Sequence, residues 1–110
     1  MAITKATQFG KKQIRMAEFA KALSHPARIA ILEILAESDM CICNDITEQL
    51  PLAQSTVSQH LKALKSAGII TGTIDGVKSC YCLNDESIDE LRSMMGSLLN
   101  KLGESSAYRD

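Results

Sequence analysis

The spacing of apolar residues in this chain has a helical period in most stretches and a strand period in one. Met16, Phe19, Ala20 and Leu23 recur at i, i+3, i+4 and i+7, which predicts a first helix over Lys11–Leu23. His25-Pro26 then restarts the chain, with proline at a first helical position where its missing N–H has no intrahelical partner to lose. Ile29, Ile31, Leu32, Ile34 and Leu35 predict a second helix buried almost all round. Asp45–Leu50 reads as a short third helix stopped near Pro51. Val57, Leu61 and Leu64 lie at i, i+4 and i+7 and predict a fourth helix over Gln54–Ala67, closed by Gly68. Two β-rich runs, Ile69–Ile74 and Val77–Leu83, flank Asp75-Gly76, the pair favoured by a type I′ hairpin turn. Ser87-Ile88-Asp89-Glu90 matches a capping box and opens a last helix. Its apolar positions are Ile88, Leu91, Met94, Met95, Leu98, Leu99 and Leu102, with Gly103 as the stop. Residues 1–10 read as a flexible lead, and 1–110 as one domain.

The fourth helix carries the most information. At about 100° per residue, Ser55, Gln59, Lys62 and Ser66 fall opposite its apolar stripe. That side holds amide, hydroxyl and ammonium groups and no acid. An ordinary solvated face would mix Glu and Lys in i,i+4 pairs. An acid-free face suits a DNA major groove, where phosphates repel carboxylates and base edges need donors and acceptors. A helix-turn-helix followed by a hairpin is the layout of a winged helix.

Three segments together make a resemblance specific: Leu23-Ser24-His25-Pro26-Ala27-Arg28, Ser55-Thr56-Val57-Ser58-Gln59-His60-Leu61, and Ala67-Gly68-Ile69-Ile70 with its hairpin. This ordered set resembles the ArsR/SmtB family of bacterial winged-helix repressors over roughly Ala17–Leu83. The fold expected is mainly α (α+β): four helices, a β-hairpin and a fifth helix in a winged helix-turn-helix. The resemblance implies a homodimer joined through the terminal helices, 11–23 and 85–103. Leu91, Met94, Met95, Leu98, Leu99 and Leu102 are the interface candidates, and Gly96 inside that helix suits close approach of another backbone.

The chain has 110 residues, 45% hydrophobic and 23% charged, which fits one soluble globular domain. No apolar run approaches the ~20 residues of a membrane span. Met1-Ala2-Ile3-Thr4-Lys5 lacks the apolar core of a signal peptide, so a cytoplasmic protein is expected. A net charge of −1 is unlike the strongly basic balance of many nucleic-acid binders. The distribution offsets this in part: Lys5, Lys11, Lys12, Arg15, Lys21 and Arg28 face only Glu18 between positions 5 and 28.

Cys41-Ile42-Cys43 and Cys80-Tyr81-Cys82 are two C-x-C pairs. Without an export signal, they point to thiols or metal ligands over structural disulfides. The resemblance implies a thiol site entering the third helix, but its two places fall on Ile42 and Asn44, one residue past each cysteine here. The next thiol of the arsenic-sensing pattern falls on Thr47, and the last helix has no histidine for the family's second site. Cys80 and Cys82 still share one strand face, beside which the segment entering the third helix commonly pairs. Three uses remain open: small packing residues, a thiol-bound metal or metalloid effector, and redox sensing. No cofactor is required by anything else in the chain.

For function, a DNA-binding regulator reading an inverted repeat in double-stranded DNA competes with a protein-interaction module and with an enzyme. The DNA candidates are Gln54, Ser55, Thr56, Ser58, Gln59 and Lys62 on the fourth helix, with Lys78 on the wing. Ser55, Thr56 and Ser58 suit phosphates, and Gln59 suits an adenine edge. An interaction module would carry acids or large apolar residues there. No nucleophile–base pair, phosphate-binding glycine loop or carboxylate pair supports an enzyme. His25 suits a cap or packing role, and His60, off the apolar stripe, suits DNA backbone or helix packing.

Overall fold

The structure is a computed structural model, described over residues 8–43, 46–74 and 79–104. Its helices are α1 (Lys11–Ala22), α2 (Pro26–Glu37), α3 (Gln54–Ser66) and α4 (Asp85–Glu104). Strands β1 (Cys41–Ile42), β2 (Ile70–Thr73) and β3 (Cys80–Leu83) form an antiparallel sheet in the order β1-β3-β2. This is a helix-turn-helix core with a β-ribbon between α3 and α4, as the periodicity predicts. The expected third helix differs. Within 46–49 the chain makes only a 3-10 turn, Thr47–Gln49, before extending through Leu50 ahead of Pro51. Proline disfavours helical geometry in the residue before it, so the segment cannot lengthen toward α3.

One core joins every element. Phe19 of α1, Ile31 and Leu35 of α2, Ile46, the α3 stripe Val57, Leu61 and Leu64, then Ile69, Ile70 and Tyr81 are all buried. Two apolar positions depart from the helical expectation. Ala20 is exposed while Ala22 is buried, and Ile29 is 41% exposed on α2. A helix in contact on one side buries a stripe, however apolar its remaining faces.

The β1–β3 pair has one inward and one outward side. Ile42 and Tyr81 are paired and turn inward, while Cys41 faces Cys82 across the ladder on the opposite side. Gly72 is opposite Tyr81 with φ 121°. A Cβ there would lie 2.2 Å from the Cys80 carbonyl oxygen, so only glycine fits. Between α2 and β1, Asp39 and Met40 take φ 56° and 75°, a left-handed bend that turns the chain onto the sheet. It is held by Met40 N–H donating to the Leu35 carbonyl and Leu83 N–H donating to the Met40 carbonyl, at 2.9 and 2.8 Å.

The start of α4 corrects the expected capping box. The helix begins at Asp85, and the Asn84 side-chain oxygen accepts from the backbone N–H groups of Glu86 and Ser87 at 3.2 and 3.4 Å. Ser87 lies inside the first turn and is buried near Gly68. Asn84 also donates its own N–H to the Ile69 carbonyl at 2.9 Å, tying the helix start to the base of the ribbon. The expected stop at Gly103 gives way to a helix running through Glu104. Asn84→Ala should lower stability by about 1 kcal/mol. Urea unfolding checks this, and an unchanged midpoint would remove Asn84 as the cap.

Candidate nucleic-acid interface

Helix α3 is set by its inward stripe. With Val57, Leu61 and Leu64 at 3% exposure or less, Ser55, Gln59, Lys62 and Ser66 are left exposed on the opposite side. Gln54, Thr56 and Ser58 are half-buried at its edges, in the first turns. The six α3 candidates therefore share one surface and its rim. Lys65 stands in the last turn, where a cation complements the helix dipole, and the first turn carries no acid, so its free N–H groups are left to an outside anion. Lys78 and the Asp75-Gly76 turn lie outside the described residues, so the wing candidate is not placed beside α3.

Polar ties fix how α3 sits on the rest of the domain. Arg28 Nε donates to His60 Nδ1 at 3.1 Å, and its guanidinium also donates to the Lys21 and Ala22 carbonyls at 3.3 Å each. His25 caps α2 by accepting the Ala27 N–H at its Nδ1, 3.0 Å away, and its ring stands 4.4 Å from that of His60. The histidines thus join three helices: His25 caps, and His60 packs between helices in preference to reaching outward. Lys65 donates its ammonium to the Gly72 carbonyl, linking α3 to β2.

Arg15 was not legible as a site residue, yet it connects the terminal helices to α3. Its guanidinium donates to the Ala67 carbonyl at 3.1 Å, pairs with Glu90 at 3.4 Å and Glu18 at 3.5 Å, and lies 4.1 Å over the Phe19 ring. Only the Arg15–Glu18 spacing of three residues was visible beforehand. Arg15 and Arg28 are thereby committed inside the domain, and Lys11 and Lys12 lie beside Glu90 and Met94. Lys21 and Arg28 line a shallow groove together with Ala63 and Ser66 of α3.

The cysteines need a second correction. All four are bonded, Cys41 to Cys82 and Cys43 to Cys80, against the expectation of thiols. The strand register brings them face to face, which a compartment argument does not address. Cys41, Cys43 and Cys80 are exposed and Cys82 is half-buried, so they are not core packing residues. Among the described residues, no group of three or more His, Cys, Asp or Glu side chains is arranged to hold a metal ion.

Comparisons agree with this geometry. Residues 25–71 match the family model described as bacterial regulatory protein, arsR family. The chain is 36% identical over 89 residues to an uncharacterised helix-turn-helix-type transcriptional regulator of Methanocaldococcus jannaschii, covering 80% of this chain and 99% of that one. The chain belongs to the arsR family. Further arsR-type relatives include the helix-turn-helix-type transcriptional repressor SmtB of Mycobacterium tuberculosis, 42% identical over 64% of this chain and 52% of the relative. The arsenical resistance operon repressor of Staphylococcus xylosus is 38% identical over 63% of this chain and 65% of its own length. An ArsR-like transcriptional regulator from Rhodococcus, strain RHA1, shares the fold with a TM-score of 0.59 at 19% identity, over 92% of this chain and 98% of that one. The family is one of DNA-binding transcriptional regulators, not enzymes. No helix among the described residues is long and apolar enough to cross a membrane.

Burial lowers the His60 pKa below its ordinary 6.5, and the neighbouring His25 and Arg28 charges lower it further. Protonation at Nδ1 would also remove the acceptor that Arg28 uses. The unfolded chain therefore binds the proton more readily, and stability should fall as pH drops through 6.5 toward the depressed folded value. Thermal unfolding between pH 7.5 and 5 should show this loss, and His60→Gln should flatten it. An equal slope in the variant would exclude His60 as its source.

Proposed function

We propose that this arsR-family member is a homodimeric repressor that reads an inverted repeat in double-stranded DNA and acts in the cytoplasm. The observation that carries this is the exposed, acid-free face of Ser55, Gln59, Lys62 and Ser66, held outward by a buried stripe. In a major groove, Gln59 has the donor and acceptor needed by an adenine edge. Ser55, Thr56 and Ser58, near the positive end of the α3 dipole, suit phosphates, as do Gln54 at the helix start and Lys62 beyond the base-reading side chain. Lys78 is assigned to the backbone contact of the wing. A protein-interaction module would need acids or large apolar side chains on this face, and α3 has none exposed.

Dimerisation is supported by the terminal helices. Leu98, Leu99 and Leu102 are 39%, 61% and 59% exposed on α4, following the half-buried Leu91, Met94 and Met95. Phe9, just before α1, and Ile14 and Ala17 on it line an open groove of about 720 Å³. These surfaces adjoin, since Arg15 of α1 pairs with Glu90 of α4. A Cβ at Gly96 would meet nothing within 4 Å among the described residues, which leaves that face of α4 open to a second copy. Some relatives are named for arsenical resistance, and in this structure the four sulfurs that could bind such an effector are paired with one another.

Selection from a random duplex library should enrich an inverted repeat with half-sites about one helical turn apart. On that duplex, Gln59→Ala should weaken binding by about 1–3 kcal/mol and leave non-specific binding nearly unchanged. Lys62→Ala should weaken both and reduce the salt slope. Equal affinities for wild type and both variants would remove α3 as the reading element.

Leu98→Glu should convert the dimer to monomer in sedimentation, because a carboxylate buried in an apolar seam lacks a partner. An unchanged dimer would place the interface elsewhere.

A further inference from the structure

Four sulfurs lie on the outward side of the sheet, at the strand that precedes α3 and the strand that precedes α4. Cys41 and Cys82 are facing residues of the β1–β3 ladder with Cα atoms 4.0 Å apart. Cys43 and Cys80 are 3.8 Å apart one step along. Their accessibility distinguishes them from the buried, inert cysteines of protein interiors. They also stand where movement matters. β1 is the short link between the left-handed bend at Asp39-Met40 and the 3-10 turn that leads into α3. β3 is the ribbon strand that continues into Asn84 and α4.

We propose that these two pairs form a thiol–disulfide redox site that releases the protein from DNA when oxidised. The proposal rests on the DNA-binding function above. A regulator acting beside DNA works in a reducing compartment, where disulfides that do form are usually transient or sensing. The oxidant is a low-molecular-weight disulfide of the oxidised-glutathione class. One cysteine thiolate attacks a sulfur of that disulfide, expels one small thiolate and forms a mixed disulfide. The facing cysteine then displaces the second small thiolate and closes the cross-strand bond. Each pair gives up two electrons and two protons, and each small disulfide is reduced to two thiols. Two equivalents complete both bonds.

Coupling to DNA follows from position. In the dithiol state β1 is joined to β3 by main-chain bonds alone, and α3 and the ribbon adjust independently as they seat in the groove. Two covalent bonds tie the entry to α3 rigidly to the ribbon, with the bend at residues 39 and 40 held in a conformation that non-glycine residues rarely adopt. That adjustment is then lost, and with it affinity.

The test equilibrates reduced protein in glutathione buffers of rising oxidised-to-reduced ratio. Free thiols are counted with a chromogenic reagent, and anisotropy reports binding to duplexes selected separately by each redox state. Four thiols should fall to none, and Kd should rise about tenfold in step, within the range typical of allosteric coupling. The double variant Cys80→Ser, Cys82→Ser should bind alike at every ratio. If it fails to fold, the wild-type titration alone decides. Thiols that persist under excess oxidised glutathione overturn the proposal, as does an oxidised form that binds equally or more tightly. If neither state enriches any duplex, the DNA-binding function itself fails. Amide exchange in residues 46–49 and 54–66 then decides the redox site, and identical exchange in the two states overturns it.

Discussion

Burial of Val57, Leu61 and Leu64 is the constraint on which the rest of the structure depends. The three side chains project from one side of α3 into a core shared with α1, α2 and the sheet. Each contributes about 2 kcal/mol of apolar transfer. Because they stand at helical spacing, burying them also settles which residues face solvent. Ser55, Gln59, Lys62 and Ser66 are outward for no reason of their own: rotating α3 to hide them would expose the stripe. An acid-free polar surface is thus presented rigidly, which groove recognition requires and a solvated helix does not.

Hydrophobic burial is non-directional, so it leaves the helix free to slide or tilt by small amounts. Directional bonds remove that freedom. Arg28 ties His60 to the end of α1, Arg15 holds the Ala67 carbonyl at the end of α3, and Lys65 reaches the Gly72 carbonyl of the ribbon. The Arg15 ion pairs themselves are half-exposed and worth little in isolation. Their importance is geometric, since one guanidinium links α1, α4 and the end of α3. Events at the terminal helices therefore have a short physical route to α3.

The sheet follows the same inside–outside logic. Tyr81 and Ile42 turn into the core, and that alternation obliges the flanking cysteines to face outward and each other. A domain this small has few places to put a switch without disturbing its core. The outer face of a short sheet is one, because chemistry there changes a strand-to-strand constraint and leaves the packed side untouched. α4 shows the converse case, with more apolar surface than the protomer covers, at Leu98, Leu99 and Leu102.

Features governed by neighbours in sequence were legible from the chain alone. The α3 stripe, the proline start of α2, the two ribbon strands and the apolar face of α4 all follow from side-chain periodicity and backbone sterics. The DNA-facing candidates on α3 follow from the same helical geometry, because opposite sides of a helix are separated by a fixed angle. What depended on distant partners was not legible. The cap of α4 belongs to Asn84 and not Ser87, because the ribbon's pairing with Ile69 decides where the helix starts. Arg15 acquires its role only when residues 67 and 90 are brought to it. Ile29 is as apolar as its neighbours, and only the side on which α2 packs leaves it exposed. The cysteine pairing is the clearest instance. C-x-C spacing places two sulfurs on one strand face, but a ladder register between residues 41 and 82 decides which sulfur each one meets. Register is a property of two strands together, and only the folded core, by drawing Ile42 and Tyr81 inward, selects it.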